Sequence, residues 1–258
     1  MNRPRRQQFS LINKIVPIIL AIIIFSSSLD IFETLKLNYS SLSFFPTPKL
    51  NDSKIDVFAQ TQNIDASSAD LAMSNLINQG SPYLGNKSAT VTLIDFSDLQ
   101  CHLCARYVKN TEPMINETYI QTGKVVLVFK HLPNRGADSI PAALAAQCIQ
   151  DQGKFWQFHN LLYKNQGPID SGWSNKYNLR KFASQIPILD ISKFDSCFDN
   201  QKYKSFIEND IAFAHSLGFT ETPSFMIVRS DGSHPQKIEG AQPFPAFKAL
   251  IDKSLDLK

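Results

Sequence analysis

The chain has 258 residues, of which 43% are hydrophobic and 19% charged. That balance excludes an intrinsically disordered chain, and the length allows a core large enough not to depend on cysteine staples. The formal charge of +3 does not signal a polyanion-binding surface: Arg3, Arg5, Arg6 and Lys14 fall within residues 1–28, which hold no acid, and removing those four from 26 basic residues leaves 22 against 23 acidic ones. No nucleic-acid partner is expected from such a balance.

Residues 1–28 open with the basic and polar MNRPRRQQFSLINK and pass into IVPIILAIIIF, an 11-residue apolar run from Ile15 to Phe25, before a run of serines. A basic segment, a short apolar segment and small residues behind it form an export signal. Ser26 and Ser28 suit cleavage after Ser28. The apolar run is shorter than the ~20 residues of a spanning helix, yet Leu11 to Leu29 gives 19 residues including Asn13 and Lys14, and a lysine near the end of such a stretch can snorkel. The segment is therefore read as a signal peptide or an N-terminal membrane anchor. Either places the rest outside the cytoplasm, in a bacterial periplasm, cell envelope or lumen, where disulfides persist.

Residues 29–81 read as a linker with one short helix, SADLAMSNLINQG, over Ser68–Gly80. SPYLGNKS reads as a turn. ATVTLIDF (89–96) is rich in β-branched residues and predicts a strand. A helix is expected from about Cys101 to Ile120, with Pro113 bending it. GKVVLVFKHLP (123–133) predicts a second strand, so that strand, helix and strand make a βαβ unit. Residues 138–217 read as mostly helical, in the pieces ADSIPAALAAQCIQDQ, KFWQFHNLLYKN, NLRKFASQI and YKSFIENDIAFAHSLGF. PSFMIVRSDG then reads as strand and turn, KIEGA as a short partner strand, and PFPAFKALIDKSL as a closing helix. The pattern is an α/β fold, a βαβ motif and a ββα motif with a helical insert of about 138–217 between them.

The chemistry concentrates in FSDLQCHLCARYV, where Cys101 and Cys104 flank His102 and Leu103. A Cys-x-x-Cys can clamp a metal, staple a turn or exchange disulfides. Zinc wants four ligands, commonly as two close pairs, but Cys148 and Cys197 are 49 positions apart and the other histidines are scattered, so no metal is expected. A staple closing so few residues would restrain little chain. Thiol–disulfide exchange needs a thiolate, and a helix N-terminus favours one through its unpaired N–H groups and positive dipole end. Cys101 sits where strand gives way to helix and is expected to present an exposed attacking sulfur, with Cys104 one turn deeper to resolve. His102 adds an ionisable donor beside the nucleophile. Asp98 and Gln100 are expected to shape the loop. Four cysteines permit three pairings. With Cys101 bonded to Cys104, an oxidising compartment favours a structural Cys148–Cys197 disulfide across the insert, against the alternative of two buried free thiols.

From about Pro82 to Lys258 the chain resembles the DsbA-like thiol–disulfide oxidoreductases of the thioredoxin superfamily. The resemblance is carried by LIDFSDLQCHLC, QCIQDQGKFWQFHNLLY and FTETPSFMIV. It implies a thioredoxin-like domain over residues 82–258. It also implies a cis-proline loop at Thr222-Pro223, with Thr222 presenting backbone groups to substrate and Pro223 packed near Cys101, and a buried acid at Asp95 exchanging a proton with Cys104. Members commonly carry proline after the first cysteine, and some have histidine before the second. Here the dipeptide is His102-Leu103. The resemblance further implies an extracytoplasmic enzyme that forms disulfides in exported proteins bearing free cysteines, needs no cofactor, and is reoxidised by a membrane partner of DsbB-like or VKOR-like type. A reductase or isomerase of the same fold, and a non-catalytic binding module with a structural disulfide, are the alternatives.

Overall fold

The computed structural model describes residues 80–230 and 233–256. The expected signal or anchor segment 1–28, and all but the last residue of the helix expected over Ser68–Gly80, lie outside the described residues. Among the described residues, no helix is long and apolar enough to cross a membrane.

A five-stranded mixed sheet runs in the order β1-β3-β2-β4-β5. Its members are β1 (Tyr83–Leu84), β2 (Val91–Ser97), β3 (Val125–His131), β4 (Ser224–Arg229) and β5 (Gln236–Glu239). β2 pairs parallel with β3 and antiparallel with β4, so that Asp95 lies opposite Phe129 on one side and Phe225 on the other. Both central strands are buried on both faces, as their near-continuous apolar sequences require. The two faces of β2 part by alternation. Val91 and Leu93 pack with Tyr107, Phe225 and Phe247, whereas Ile94 and Phe96 pack with Ala214 and Phe219. Asp95 continues the Val91–Leu93 series, so the pleat points it at the face that carries the dithiol helix.

That helix, α1 (His102–Asn110), is followed by α2 (Glu112–Ile115) and a π-helical turn over Asn116–Ile120. The single bent helix expected over 101–120 is thus three pieces. The break falls at Thr111, whose N–H still bonds the Tyr107 carbonyl at 2.8 Å while its hydroxyl donates to Gln242 O at 3.0 Å. Pro113 sits in the first turn of α2, where its missing N–H costs nothing. SPYLGNKS is more than a turn: Tyr83 and Leu84 form β1, an edge strand antiparallel to β3.

The insert comprises α3 (Ser139–Gln150), α4 (Phe155–Lys164), α5 (Lys176–Ala183), α6 (Ile191–Asp199) and α7 (Lys204–Ser216). α3 is buried nearly all round, as its alanine-rich sequence permits, and α4, α5 and α6 pack on it. The sequence reading passed over α6. Its start was marked by Asp190, which accepts the Lys193 N–H at 3.1 Å as N-cap, and by Ile191, Phe194 and Phe198 at helical spacing. α7 is tied to β3 through a buried ion pair, Lys130–Asp210 at 2.7 Å, with Asp210 also accepting the His131 N–H at 3.0 Å. The closing helix, α8 (Phe244–Asp256), returns to the α1 face, where Tyr107, Phe225 and Phe247 pack ring against ring with centroids 4.6–5.5 Å apart.

Cys148 of α3 and Cys197 of α6 are joined in a disulfide that closes a loop of 49 positions. A loop that long restricts the unfolded chain by up to about 4 kcal/mol. Replacing both cysteines with serine should lower unfolding stability in urea by about 2–4 kcal/mol while Cys101 keeps its alkylation rate at neutral pH. An unchanged urea midpoint would show that the bond contributes no stability.

Candidate active site

β2 ends at Ser97, and four residues later Cys101 becomes the N-cap of α1, in extended conformation. Its sulfur accepts the Cys104 N–H at 3.4 Å, filling the position usually held by a serine, threonine, aspartate or asparagine oxygen. The Cys101 thiol donates to the Thr222 carbonyl at 3.3 Å. Thr222–Pro223 is a cis peptide, and Pro223 leads directly into β4, so the proline loop and the start of α1 meet at one edge of the sheet. Both cysteines are free thiols. Cys104 is fully buried, as expected. Cys101, in contrast to the exposed sulfur the sequence suggested, is only 2% exposed, because the proline loop closes over it.

The loop before the dithiol is fixed from several sides. The buried Asp98 carboxylate accepts three backbone N–H groups at 2.8 Å, from Gln100, Asn134 and Arg135. The Asp98 carbonyl accepts the Cys101 N–H at 2.9 Å and the Tyr163 hydroxyl at 3.1 Å. Gln100, fully buried, donates to Ser139 at 3.0 Å and to Asp170 at 3.2 Å, and its own carbonyl accepts the Asp170 N–H at 3.0 Å. Gly136 makes this arrangement possible: it has φ +142°, and a Cβ there would fall 2.0 Å from the Asp170 carboxylate. Asp98 and Gln100 thereby join the dithiol loop to the β3–α3 turn and to the insert.

His102 is exposed, and its Nδ1 pairs with Gln166 Oε1 at 2.9 Å. The hydrogen-bond partners of the Cys101 sulfur are Thr222 and Cys104, and His102 is not one of them. A cation that the sequence reading missed stands there instead. Arg135, in the β3–α3 turn, donates from Nε to Thr222 Oγ1 at 3.3 Å and from Nη2 to Thr222 O at 3.2 Å and Glu221 Oε2 at 2.9 Å. Nothing in HLPNRGAD marked it, since only the fold brings residue 135 against residue 222.

The two sulfurs are pushed in opposite directions. The Cys101 thiol is lowered to about 5, chiefly by the hydrogen bond from the Cys104 side chain, then by the Thr222 side chain, the Cys104 N–H and the charge of Arg135, which together outweigh burial. Cys104 is pushed well above the usual thiol range, first by burial and then by its hydrogen bond to Cys101. Beneath them Asp95, 1% exposed, is raised to about 7 by burial against a short hydrogen bond from the Ser97 hydroxyl. A second buried carboxyl, Glu112, is raised to about 8 by burial and then by the charge of Asp95. Among the described residues, no cluster of side chains could hold a metal ion.

The thioredoxin family profile matches residues 77–253. The chain is a DsbA-like member of the thioredoxin superfamily. Among its relatives, a probable disulfide bond formation protein D of Bacillus anthracis is 29% identical over 175 residues, 67% of this chain and 77% of the relative. The oxidised BdbD structure from Bacillus subtilis is 25% identical with a TM-score of 0.62, covering 69% of this chain and 95% of that one. Wolbachia pipientis alpha-DsbA1 is 29% identical with a TM-score of 0.58, covering 68% and 90%.

A depressed thiol that exists only in the reduced DsbA-like protein ties stability to pH. The Cys101 group is lowered on folding from 9.0 to about 5. Its contribution is therefore present above the unfolded value and lost as pH falls through the folded one. Asp95 works the other way, losing stability as pH rises to about 7, but it is present in both redox forms. The melting temperature of the reduced form minus that of the oxidised form should rise from about pH 5 to about pH 8. A flat difference would contradict a folded-state Cys101 thiolate.

Proposed function

We propose that this DsbA-like protein is a dithiol oxidase that forms disulfides in exported proteins through Cys101 and Cys104. The observation that carries the reading is the placement of the Cys101 sulfur: at the α1 N-cap, against the Thr222 carbonyl of a cis-proline loop, with a protonated Cys104 behind it. A thiol held as thiolate near neutral pH is a good leaving group.

In the oxidised protein a substrate thiolate attacks the Cys101 sulfur. The Cys101–Cys104 bond breaks and Cys104 leaves with the electron pair. Buried as it is, the Cys104 thiolate demands a proton, and Asp95, whose carboxyl titrates near 7, supplies it and recovers one from solvent. A second substrate thiolate then attacks the substrate sulfur of the mixed disulfide, and Cys101 leaves as its stabilised thiolate. The substrate gives up two electrons and two thiol protons. Both electrons reside in the dithiol, one proton is balanced at Cys104, and the other is released to water while Cys101 stays ionised.

Thr222 and Pro223 form the edge on which an extended substrate segment lies. A groove of about 440 Å³, walled by Met114, Ala241, Pro243, Phe244 and Pro245 with Arg106 at the rim, is joined to this edge through Gly240, whose N–H bonds the Pro223 carbonyl at 2.8 Å, and suits an apolar stretch of an unfolded substrate. The Cys148–Cys197 bond braces the insert. Residues 1–28 export the chain or hold it at the outer face of the membrane, beside a reoxidase of DsbB-like or VKOR-like type that draws electrons from the reduced dithiol.

Cys101→Ser should abolish oxidation of a reduced, unfolded protein substrate, and Cys104→Ser should accumulate a mixed disulfide at Cys101 visible by intact mass. Asp95→Asn should keep the first attack but slow turnover roughly tenfold or more near neutral pH. Oxidation that survives Cys101→Ser would sink the reading.

A further inference from the structure

Oxidation removes the charge from Cys101, because a disulfide sulfur carries none. Any group that favours the Cys101 anion therefore favours the reduced protein over the oxidised one. The charged and titratable side chains around this sulfur come from five segments: Asp95 from β2, His102 and Cys104 from α1, Arg135 from the β3–α3 turn, Tyr163 from α4 and Glu221 from the turn before β4. Asp95 opposes an anion, and the His102 ring is engaged with Gln166. Arg135 is the one permanent cation in the group.

Its position is built. The Arg135 N–H is clamped by the buried Asp98 carboxylate at 2.8 Å, the same group that fixes the loop leading into Cys101. Its guanidinium and the Cys101 thiol bond the same atom, the Thr222 carbonyl oxygen, at 3.2 and 3.3 Å. Sulfur and guanidinium thus lie within two hydrogen-bond lengths of each other. The Nη2 nitrogen that reaches Thr222 O also donates to Glu221 at 2.9 Å. The Arg135 side chain is 29% exposed, whereas that of Glu221 is 74% exposed. A largely solvated carboxylate can leave, and the guanidinium, bonded to Thr222 Oγ1 and Thr222 O, stays behind.

We propose that Arg135 is the counterion of the Cys101 thiolate, delivered across the active site from the β3–α3 turn, and that its ion pair with Glu221 limits how much of that charge the sulfur feels. Arg135 thereby sets the redox poise of the dithiol, and Glu221 is the point at which a bound substrate or partner adjusts it. A partner that draws the Glu221 carboxylate away releases Arg135 to the sulfur and makes the protein more oxidising while it is bound. The proposal rests on Cys101 being the exchanging sulfur.

The test uses the full chain with Arg135→Met, Arg135→Lys, Glu221→Gln and the double variant Arg135→Met/Glu221→Gln. Two quantities are read: the pH midpoint of iodoacetamide alkylation at Cys101, resolved by peptide mass, and the equilibrium of the Cys101–Cys104 pair with glutathione. Arg135→Met should raise the midpoint by about one pH unit, a roughly tenfold loss of thiolate at fixed acidic pH. It should shift the glutathione equilibrium about tenfold toward the oxidised protein, or about 30 mV. Arg135→Lys should stay near wild type in midpoint. Glu221→Gln should move both readings the opposite way, and only when Arg135 is present. Should Met at 135 prevent folding, Arg135→Gln gives the same reading. Neutral substitutions that leave midpoint and equilibrium unchanged would overturn the counterion role, and a Glu221→Gln effect that persists in the double variant would overturn the control by Glu221. Both readings are taken without a protein substrate, so wild-type oxidase activity, measured separately, distinguishes failure of this proposal from failure of the oxidase reading.

Discussion

The Cys101 sulfur occupies the N-cap of α1, where it accepts the Cys104 N–H and touches the Thr222 carbonyl of the cis-proline loop. Three parts of the chain far apart in sequence must agree for that to happen. β2 must deliver the loop at the right edge of the sheet, α1 must start within one residue of the sulfur, and β4 must begin immediately after Pro223. The antiparallel pairing of β2 with β4, which sets Phe96 opposite Ser224, secures the first and last of these. The aromatic contacts of Tyr107 with Phe225 and Phe247 secure the second by seating α1 on β4 and α8. The core is thus arranged so that one sulfur sits where the Cys104 side chain and N–H and the charge of Arg135 favour its anion, and the other sits where burial disfavours one.

The same logic explains the buried acid. Period-two alternation in VTLIDF sends Val91, Leu93 and Asp95 to one face. Leu93 and Val91 pay for their burial with apolar contacts, but among the described residues Asp95 has Ser97 as its one hydrogen-bond partner, and burial raises its carboxyl to about 7. A carboxyl raised to about 7 below a thiol that resists ionisation has the properties required of the proton donor proposed for Cys104.

Much of this was legible in the sequence because it is local. The β-branched runs of β2 and β3 mark themselves and the Cys-x-x-Cys marks the helix start, whereas the buried acid at Asp95 was read through the family resemblance. The cis form of Thr222–Pro223 was legible only through the family resemblance, since nothing local distinguishes it from a trans proline entering a strand. What escaped depends on tertiary pairing. β1 is two residues long and has no pattern of its own, and exists because β3 offers it a free edge. The break at Thr111 comes from Gln242, 131 positions away, which takes the threonine hydroxyl. Near-complete covering of Cys101 comes from the proline loop. Arg135 lies in a turn without periodicity, and its partners are 86 and 87 positions downstream. α6 is the exception: its cap and its apolar spacing were both readable.

A lowered Cys101 favours the reduced pair over the disulfide, the direction required of the proposed oxidase, while the raised Cys104 keeps its own thiol protonated. The most direct measurement is a glutathione redox titration of the full chain, with differential thiol alkylation read by mass at each cysteine. For an oxidase, the Cys101–Cys104 pair should titrate toward the oxidising end of thioredoxin-fold dithiols, around −120 mV, with Cys148–Cys197 remaining oxidised throughout. A midpoint near the thioredoxin value of about −270 mV would contradict the oxidase, and with it the physical link drawn between the Cys101 sulfur, its neighbours and the chemistry it performs.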